Sequence, residues 1–282
     1  MATPAELEYL GVSMPPSQDE LPYDDGEVME TQRHQYQMDL LIEGLQSWLD
    51  ARDDGYVGGN MFVYYSVTQA KNQEFKGPDF FVALGVPKGE RKSWVCWEEE
   101  KAPDVVIELL FDSTAATDKG EKKLIYERRM HVPEYFWYDP FNPEDWAGFR
   151  LQGSTYQPIT QEAQGWLTSE ALRLRLVRWQ GTYRGINTTW LRWASLDGAP
   201  LPTGAEVAKQ EHQQADQERQ RADQERQRAD QERRRADQAE SQVIEIAHNL
   251  LQTGMDAEQV AHITGLAIAE VNALHVQNPP NP

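Results

Sequence analysis

The stretch that decides the fold runs from Pro103 to Pro140 and reads PDVVIELLFDSTAATDKGEKKLIYERRMHVPEYFWYDP. Its first part is apolar and β-branched, which predicts a buried strand. The middle part opens on Ser, Thr and Asp and continues with apolar residues at helical spacing, which predicts a helix. The last part is aromatic and closes on Asp139-Pro140, which predicts a second strand. Strand, helix and strand in this order indicate a right-handed crossover on a mixed sheet.

Glu108 stands in the middle of the first predicted strand, although a buried carboxylate is unfavourable unless it is paired, hydrated in a cleft or bound to a metal. A second acid, Asp79, opens the apolar run 80–84 after the Gly77-Pro78 break. Asp104 shares the face of Glu108 but lies on the order of 13 Å away along the strand, too far to share an ion. We therefore predict that Asp79 and Glu108 form an acidic pair.

Such a pair suits a hard divalent cation, Mg²⁺ or Mn²⁺, which binds through one or two carboxylates together with water and substrate phosphate. The cation would activate a water molecule and neutralise charge on a phosphodiester. A lysine beside the pair would orient or deprotonate that water, or stabilise the phosphate oxygens. A structural alternative stays open, in which Asp79 caps a turn and Glu108 pairs with an arginine.

The composition limits the class of protein. The 282 residues carry a formal net charge of −19 and contain one cysteine, Cys96. One cysteine excludes an internal disulfide framework and is compatible with a reducing, cytoplasmic location. We expect neither a signal peptide nor a membrane span, since no apolar run approaches about 20 residues. The negative net charge argues against a large surface that binds nucleic acid non-specifically.

The remainder of the first 202 residues is expected to complete one domain. Residues 1–30 read as an N-terminal loop segment, and the domain proper is expected over residues 31–202. A helix is predicted from Thr31 to Leu49, with His34 beside its apolar stripe as either a packing residue or a site residue. After Pro140, short alternating runs predict antiparallel strands that extend the sheet. Their arginines are interpreted as a solvated face that balances acidic neighbours.

The C-terminal part changes composition abruptly. Residues 205–242 repeat ADQERQR-like heptads with alanine at one position, which predicts a charged, exposed spacer helix or a weak alanine-seam dimer. Residues 243–276 predict three short helices with glycine breaks, a small tail that is either a helix-turn-helix or a docking bundle. We favour docking because the tail has no basic face. Residues 277–282 predict a disordered end.

Several strings together carry a resemblance to a known family. They are PD-FFVALG, APDVVIELL-F-DST, D-x-G-x-K-x-x-x-Y and VPEYFWYDP, within about Gly26 to Pro202. This pattern resembles the Uma-two family, a branch of the PD-(D/E)XK nuclease superfamily.

The resemblance implies a restriction-endonuclease-like fold and places the catalytic residues. It implies that Asp79 and Glu108 are metal ligands. Leu110 stands where the superfamily expects a lysine, and the Uma-two pattern places that lysine on the next helix, at Lys122 rather than Lys123. Glu30 and His34 match a glutamate and histidine near the first helix and would be supporting groups.

The sequence thus predicts an α/β (α+β) protein. Its restriction-endonuclease-like mixed sheet is flanked by helices and followed by a long charged helix and a small helical tail. The predicted function is Mg²⁺- or Mn²⁺-dependent hydrolysis of DNA phosphodiester bonds, with a homodimer and a protein partner for the C-terminal helices as further expectations. Two alternatives stay open: a catalytically weak or inactive nuclease-fold interaction module, and a scaffold oligomerised through the charged helix.

Overall fold

The computed structural model describes residues 15–22, 31–67 and 77–277, with side chains described as far as residue 274. In chain order the elements of the first part are α1 (Gln32–Asp50), β1 (Asp54–Gly58), β2 (Val63–Tyr64), β3 (Phe80–Pro87), β4 (Trp94–Val95), β5 (Val105–Leu109), helix α2 over residues 115–130, β6 (Glu134–Tyr138), β7 (Trp146–Gln152), β8 (Thr155–Pro158), β9 (Leu167–Ser169), β10 (Leu174–Tyr183) and β11 (Ile186–Ala194). The C-terminal helices are α3 (Gly204–Gln252), α4 (Ala257–Thr264) and α5 (Ile268–Gln277).

The main sheet has six strands in the order β1-β3-β5-β6-β7-β8. Strands β5 and β6 run parallel, with Val106 opposite Tyr135, and α2 connects them. The other neighbours in the sheet pair antiparallel. The predicted strand-helix-strand unit and the mixed α/β sheet flanked by helices are therefore confirmed.

The strands after Pro140 do not form one continuous extension of this sheet, as the sequence had suggested. Only β7 and β8 join it, whereas β9, β10 and β11 form a separate antiparallel sheet. Strand β8 ends at Pro158, and the amide of the next residue, Ile159, still donates to the Gly148 carbonyl of β7 at 2.8 Å. Helix α1 is tied to the second sheet through Gln37, whose side chain exchanges two hydrogen bonds of 2.8 and 2.9 Å with the backbone of Leu191.

The two faces of the main sheet bury different cores. Val105, Ile107 and Leu109 pack with α1 and the second sheet. Val106 packs on the opposite face, with Tyr126 of α2. This alternation follows from the period of two along a strand. It sends the side chain at position 108 toward α2.

Helix α2 alternates between α and π turns. Its segments are Ala115–Thr117 (α), Asp118–Lys122 (π), Lys123–Ile125 (α) and Tyr126–Met130 (π). Single π turns inside helices occur frequently at functional sites. The segment thus differs from the regular helix that the apolar spacing predicted.

The chain divides into two compact units, Met1–Ala208 and Lys209–Pro282. In the second unit the heptad repeat is helical and its side chains are solvent-exposed. Helix α3 continues unbroken to Gln252, so the first of the three predicted tail helices is the end of α3 rather than a separate helix. Ala247, Leu251, Val260 and Val271 form a small core between this end, α4 and α5.

Parts of the predicted N-terminal loop segment (residues 1–14 and 23–30) and most of the predicted disordered end (278–282) lie outside the described residues. Among the residues that are described, no helix has the length and apolarity needed to cross a bilayer.

Candidate active site

The two acids of the predicted pair come from adjacent strands. Strands β3 and β5 pair antiparallel with Phe80 opposite Ile107, so Asp79, just before β3, stands across from Glu108. Glu108 points toward α2, on the same face as Val106. The fold therefore brings the two predicted carboxylates together at one place on the sheet.

The backbone of β5 holds the Asp79 side chain in place. Its Oδ2 atom accepts a hydrogen bond of 2.6 Å from the amide of Leu109, the residue after Glu108. Asp104 is engaged elsewhere, because its Oδ2 lies 2.7 Å from Lys101 Nζ and accepts the amide hydrogen of Leu84 at 2.6 Å. This agrees with the spacing argument that separated Asp104 from the site.

Glu108 is completely buried, and two side chains of α2 hold its two oxygens. The hydroxyl of Tyr126 donates to Oε1 at 2.6 Å, and Lys122 Nζ lies 3.1 Å from Oε2. Lys122 also pairs with Asp118, at 2.8 Å from Oδ1. One carboxylate on the sheet is thus linked to three side chains of one helix face.

Lys123, the neighbouring candidate, is directed elsewhere. Its ammonium lies 3.3 Å from the centre of the Phe149 ring and 5.8 Å from that of Trp137, a cation–π arrangement. Lys122 is therefore the lysine of this helix that reaches Glu108, whereas Lys123 packs against aromatic residues.

The electrostatics of the site depend on burial and on the small distances between its charges. Burial and the charge of Glu108 raise the pKa of Asp79 well above its usual range, against the effect of the Lys122 ammonium. Burial also raises the pKa of Glu108, while Lys122 lowers it and Asp118 raises it. Burial alone would lower the pKa of Lys122, but Glu108, Asp118 and Asp79 outweigh it and raise that pKa above its ordinary value. The carboxylates resist ionisation and the lysine holds its proton.

His34 is fully buried at the start of α1, and it does not contact the two carboxylates directly. Its Nε2 donates to the carbonyl oxygen of Leu110 at 2.9 Å, and its Nδ1 lies 2.9 Å from the Thr31 hydroxyl. It therefore supports the backbone two residues beyond Glu108. Glu30, the other supporting residue of the sequence prediction, lies outside the described residues.

The donor set limits how a cation could be held. In the described part of the chain, no three His, Cys, Asp or Glu side chains are grouped so as to hold a metal ion. Two carboxylates, Asp79 and Glu108, nevertheless provide the oxygen ligands that Mg²⁺ prefers, and Mg²⁺ commonly retains several waters. The arrangement suits a cation that completes its coordination with water and substrate.

Two residues of the site received no role from the sequence. Asp118 and Tyr126 are buried and hold Lys122 and Glu108 through the contacts given above. Both belong to the string D-x-G-x-K-x-x-x-Y, in which Asp, Lys and Tyr follow one another at intervals of four. Residues four apart lie on one helix face. That spacing could have placed both residues beside Lys122.

The arginines of the second sheet are mostly paired with acids. Arg175 pairs with Glu162, Arg178 with Glu144, and Arg192 with Glu206; their shortest contacts are 2.7, 2.5 and 2.7 Å. Arg184 likewise pairs with Asp39 and Glu43. The contacts agree with arginines that balance acidic neighbours, but the expectation of a solvated face is wrong for Arg192, which is buried.

Comparison with known proteins gives two family matches. The model of the Uma2 family, described as "Putative restriction endonuclease", matches residues 8–180. The model described as "Rpn/YhgA-like nuclease family, C-terminal HTH domain" matches residues 240–276, which cover the end of α3, α4 and α5. No curated protein matches the chain.

One similar solved structure is a crystal structure described as "a putative nuclease belonging to DUF820" from Anabaena variabilis. It shares 15% sequence identity, with a TM-score of 0.40, and the match covers 58% of this chain and 88% of that one. The family assignment depends instead on the Uma2 match, which spans more than half of the sequence and includes Asp79, Glu108 and Lys122. The chain belongs to the Uma2 family of restriction-endonuclease-like proteins.

Proposed function

We propose that the first unit is a metal-dependent endonuclease that hydrolyses DNA phosphodiester bonds. Asp79 and Glu108 hold Mg²⁺ or Mn²⁺, and Lys122 is the catalytic cation. The observation that carries this proposal is the convergence of the two carboxylates and one ammonium where β3, β5 and α2 meet. Membership of the Uma2 family supports the same reaction class.

The residues present fit a divalent cation. Two carboxylates with raised pKa values are held side by side, and each is disfavoured in its ionised form by burial. A cation between them would relieve both effects, because opposite charge favours the ionised form. When bound, it supplies an activated water molecule and neutralises charge on the phosphodiester.

The side chains of the chain itself take three roles. Asp79 is oriented by the Leu109 amide and Glu108 by the Tyr126 hydroxyl, so both present oxygens in fixed directions. Lys122 stays protonated at neutral pH because the surrounding carboxylates raise its pKa. It therefore acts through its charge on the phosphate oxygens rather than as the base that deprotonates water.

DNA is the proposed substrate, and the match of the first unit to the Uma2 family supports it. The tail matches a helix-turn-helix domain, but its composition does not suit contact with DNA phosphates. The sequence contains neither Lys nor Arg from residue 236 to its end, so the tail offers no phosphate-binding side chains of these types. We therefore assign the tail to docking of a protein partner, and DNA contact to the first unit. A homodimer remains part of the proposal, since cutting both strands of DNA usually needs two sites.

Calorimetric titration with Mg²⁺ and Mn²⁺, paired with plasmid cleavage, tests the function. Wild type is compared with Asp79→Asn and Glu108→Gln, which keep side-chain volume. Glu170→Gln is the matched control, because Glu170 is an exposed acid paired with Arg150 on another part of the sheet. We expect saturable binding and cleavage in wild type and in the control, and loss of both in the two site variants.

Binding that is absent from wild type, or that is unchanged in both site variants, would overturn the metal mechanism. A folded protein that binds no divalent cation and cuts no DNA would instead match the alternative of a nuclease-fold interaction module. Fold alone does not establish activity.

A further inference from the structure

A cavity of about 260 Å³ opens where the parallel strands β5 and β6 end. It is lined by Leu110, Phe111 and Asp112 after β5, and by Asp139 and Phe141 after β6. Crevices outside the carboxyl ends of strands are frequent ligand sites in open α/β sheets. The volume lies below the roughly 300–1,000 Å³ of sites for drug-sized ligands, so it suits a single ring system.

The wall of this cavity is aromatic, and a cation packs against one of its rings. Phe141 is 52% exposed, and the guanidinium carbon of Arg33 lies 4.4 Å from the centre of its ring. The buried ring of His34 supports both phenylalanines, with ring centres 5.4 Å from Phe111 and 5.6 Å from Phe141. Aromatic rings and arginine planes are the surfaces on which unpaired nucleic-acid bases stack.

The polar groups of the cavity favour hydrogen-bond donors over phosphate. Asp139 Oδ1 already accepts the amides of Phe141 and Asn142, at 2.7 and 3.0 Å. Asp112 is exposed and makes no hydrogen bond or ion pair with any residue in the described ranges. Its carboxylate would repel a phosphate but would accept from the exocyclic amino group of cytosine or adenine.

We propose that this cavity binds an unpaired nucleobase next to the scissile phosphate, with the base stacked on Phe141 and its amino group bonded to Asp112. The proposal rests on the nuclease function above and narrows its substrate class to single-stranded or locally unpaired DNA. Phe111 follows Glu108 by three residues, so their Cα atoms are at most about 11 Å apart. The cavity therefore lies at the end of the strand that carries Glu108. Thymine has no exocyclic amino group and binds more weakly than cytosine or adenine.

Fluorescence anisotropy of labelled oligo(dC), oligo(dA) and oligo(dT), at low salt with EDTA so that no cleavage occurs, tests this proposal. Wild type is expected to bind oligo(dC) and oligo(dA) more tightly than oligo(dT). Phe141→Ala should weaken oligo(dC) binding by about 5-fold to 150-fold, the range for loss of one stacked base. Phe141→Trp should retain the binding. Leu196→Ala is the control, because Leu196 is equally exposed (54%) but lies outside the cavity.

Asp112→Asn gives a second, independent readout. Asparagine both donates and accepts, so the preference for oligo(dC) over oligo(dT) should shrink. Equal binding of all three oligonucleotides by wild type, no binding of any, or no effect of Phe141→Ala would each overturn the cavity assignment. If wild type still cleaves DNA in those cases and Asp79→Asn does not, the nuclease function would remain supported. Base-selective binding without any cleavage by wild type would keep the cavity assignment and refute the nuclease function.

Discussion

Lys122 Nζ lies 3.1 Å from Glu108 Oε2, so a lysine on α2 reaches a carboxylate buried inside β5. The superfamily pattern expects this lysine two positions after the glutamate, where Leu110 stands. Leu110 is buried, and its carbonyl oxygen accepts from His34. The helix thus supplies the positive charge that the strand does not.

Replacing Lys122 by methionine should reduce DNA cleavage by about 10²–10³-fold, the usual effect of removing one group that stabilises transition-state charge. The matched control is Lys123→Met, because Lys123 is the next residue but lies against Phe149 instead of Glu108. Initial rates of plasmid nicking measure both variants. Equal loss in the two variants, or none in Lys122→Met, would contradict the assigned role.

Tyr126→Phe removes the hydroxyl that donates to Glu108 Oε1 and keeps the buried ring. Groups that orient a metal ligand typically change metal affinity by about 10–100-fold when they are removed. We expect Mn²⁺ affinity, measured by calorimetry, to fall within this range. Tyr156→Phe is the control, since the Tyr156 hydroxyl bonds to the Val132 carbonyl at a distance from the carboxylates. Equal Mn²⁺ affinities of Tyr126→Phe and Tyr156→Phe would contradict the proposal that the Tyr126 hydroxyl orients Glu108.

Asp79→Asn should stabilise the metal-free protein at neutral and higher pH. Burial and Glu108 raise the folded-state pKa of Asp79, so above the ordinary value of 3.8 the unfolded chain binds fewer protons than the folded one. Stability therefore falls as pH rises through this window. Asparagine cannot ionise, and its oxygen can still accept the Leu109 amide.

Thermal unfolding in EDTA measures this effect. The Tm of Asp79→Asn should exceed that of wild type at about pH 8, by roughly 2–4 °C for each kcal/mol recovered. The difference should shrink as the pH is lowered toward about 4. A variant that is less stable than wild type across the whole range would show that the Asp79 charge is not disfavoured in the fold.

His34→Ala should destabilise the fold and leave the carboxylates in place. The Leu110 carbonyl loses its buried donor, which typically lowers the free energy of unfolding by about 1–3 kcal/mol. Urea unfolding measures this loss, and calorimetry with Mn²⁺ measures the site. Metal binding that disappears in a variant still folded at the assay temperature would show that His34 acts on the site directly.

Truncation after residue 208 should leave metal binding and cleavage intact. Ending the chain earlier, near Pro202, would remove Glu206, which pairs with the buried Arg192 at 2.7 Å. An arginine without its partner in the interior is strongly unfavourable. Comparison of the two truncations by thermal unfolding should therefore show the longer one to be more stable. The scaffold alternative instead predicts that the full chain is an oligomer and that both truncations are monomers. Light scattering measures the molar mass of all three forms and tests this alternative.

Much of the main sheet could be predicted because its strands consist almost entirely of apolar and aromatic residues. The apolar run before Glu108 and the aromatic run before Asp139 each have one interpretation, and the chain between them is long enough for a helix. The separation of β9, β10 and β11 into a second sheet was not predictable in this way. The alternation of apolar and polar residues predicts which face of a strand is buried, but it does not predict which strand pairs with it.

The site was predictable where a residue stood out against its surroundings. Glu108 is an acid in an apolar strand, and Asp79 follows a chain break. Asp118 and Tyr126 did not stand out, because polar residues are ordinary in a helix next to a loop. The extension of α3 through residue 243 was missed for a related reason: the change from charged to apolar residues resembles a boundary, yet no Gly or Pro interrupts it before Gly254.

The π turns of α2 change how its side chains are stacked. In a regular α-helix, 3.6 residues per turn shift each fourth residue by about 40° around the axis, so a series spaced by four drifts off one face. A wider turn lowers this drift, so Asp118, Lys122 and Tyr126, which are spaced by four, stay nearer to one face of the helix. Deleting one residue such as Gly120 would place Asp118 three residues before Lys122 instead of four, roughly 60° away from it around a regular α-helix. The length of this helix is therefore as much a part of the site as its side chains.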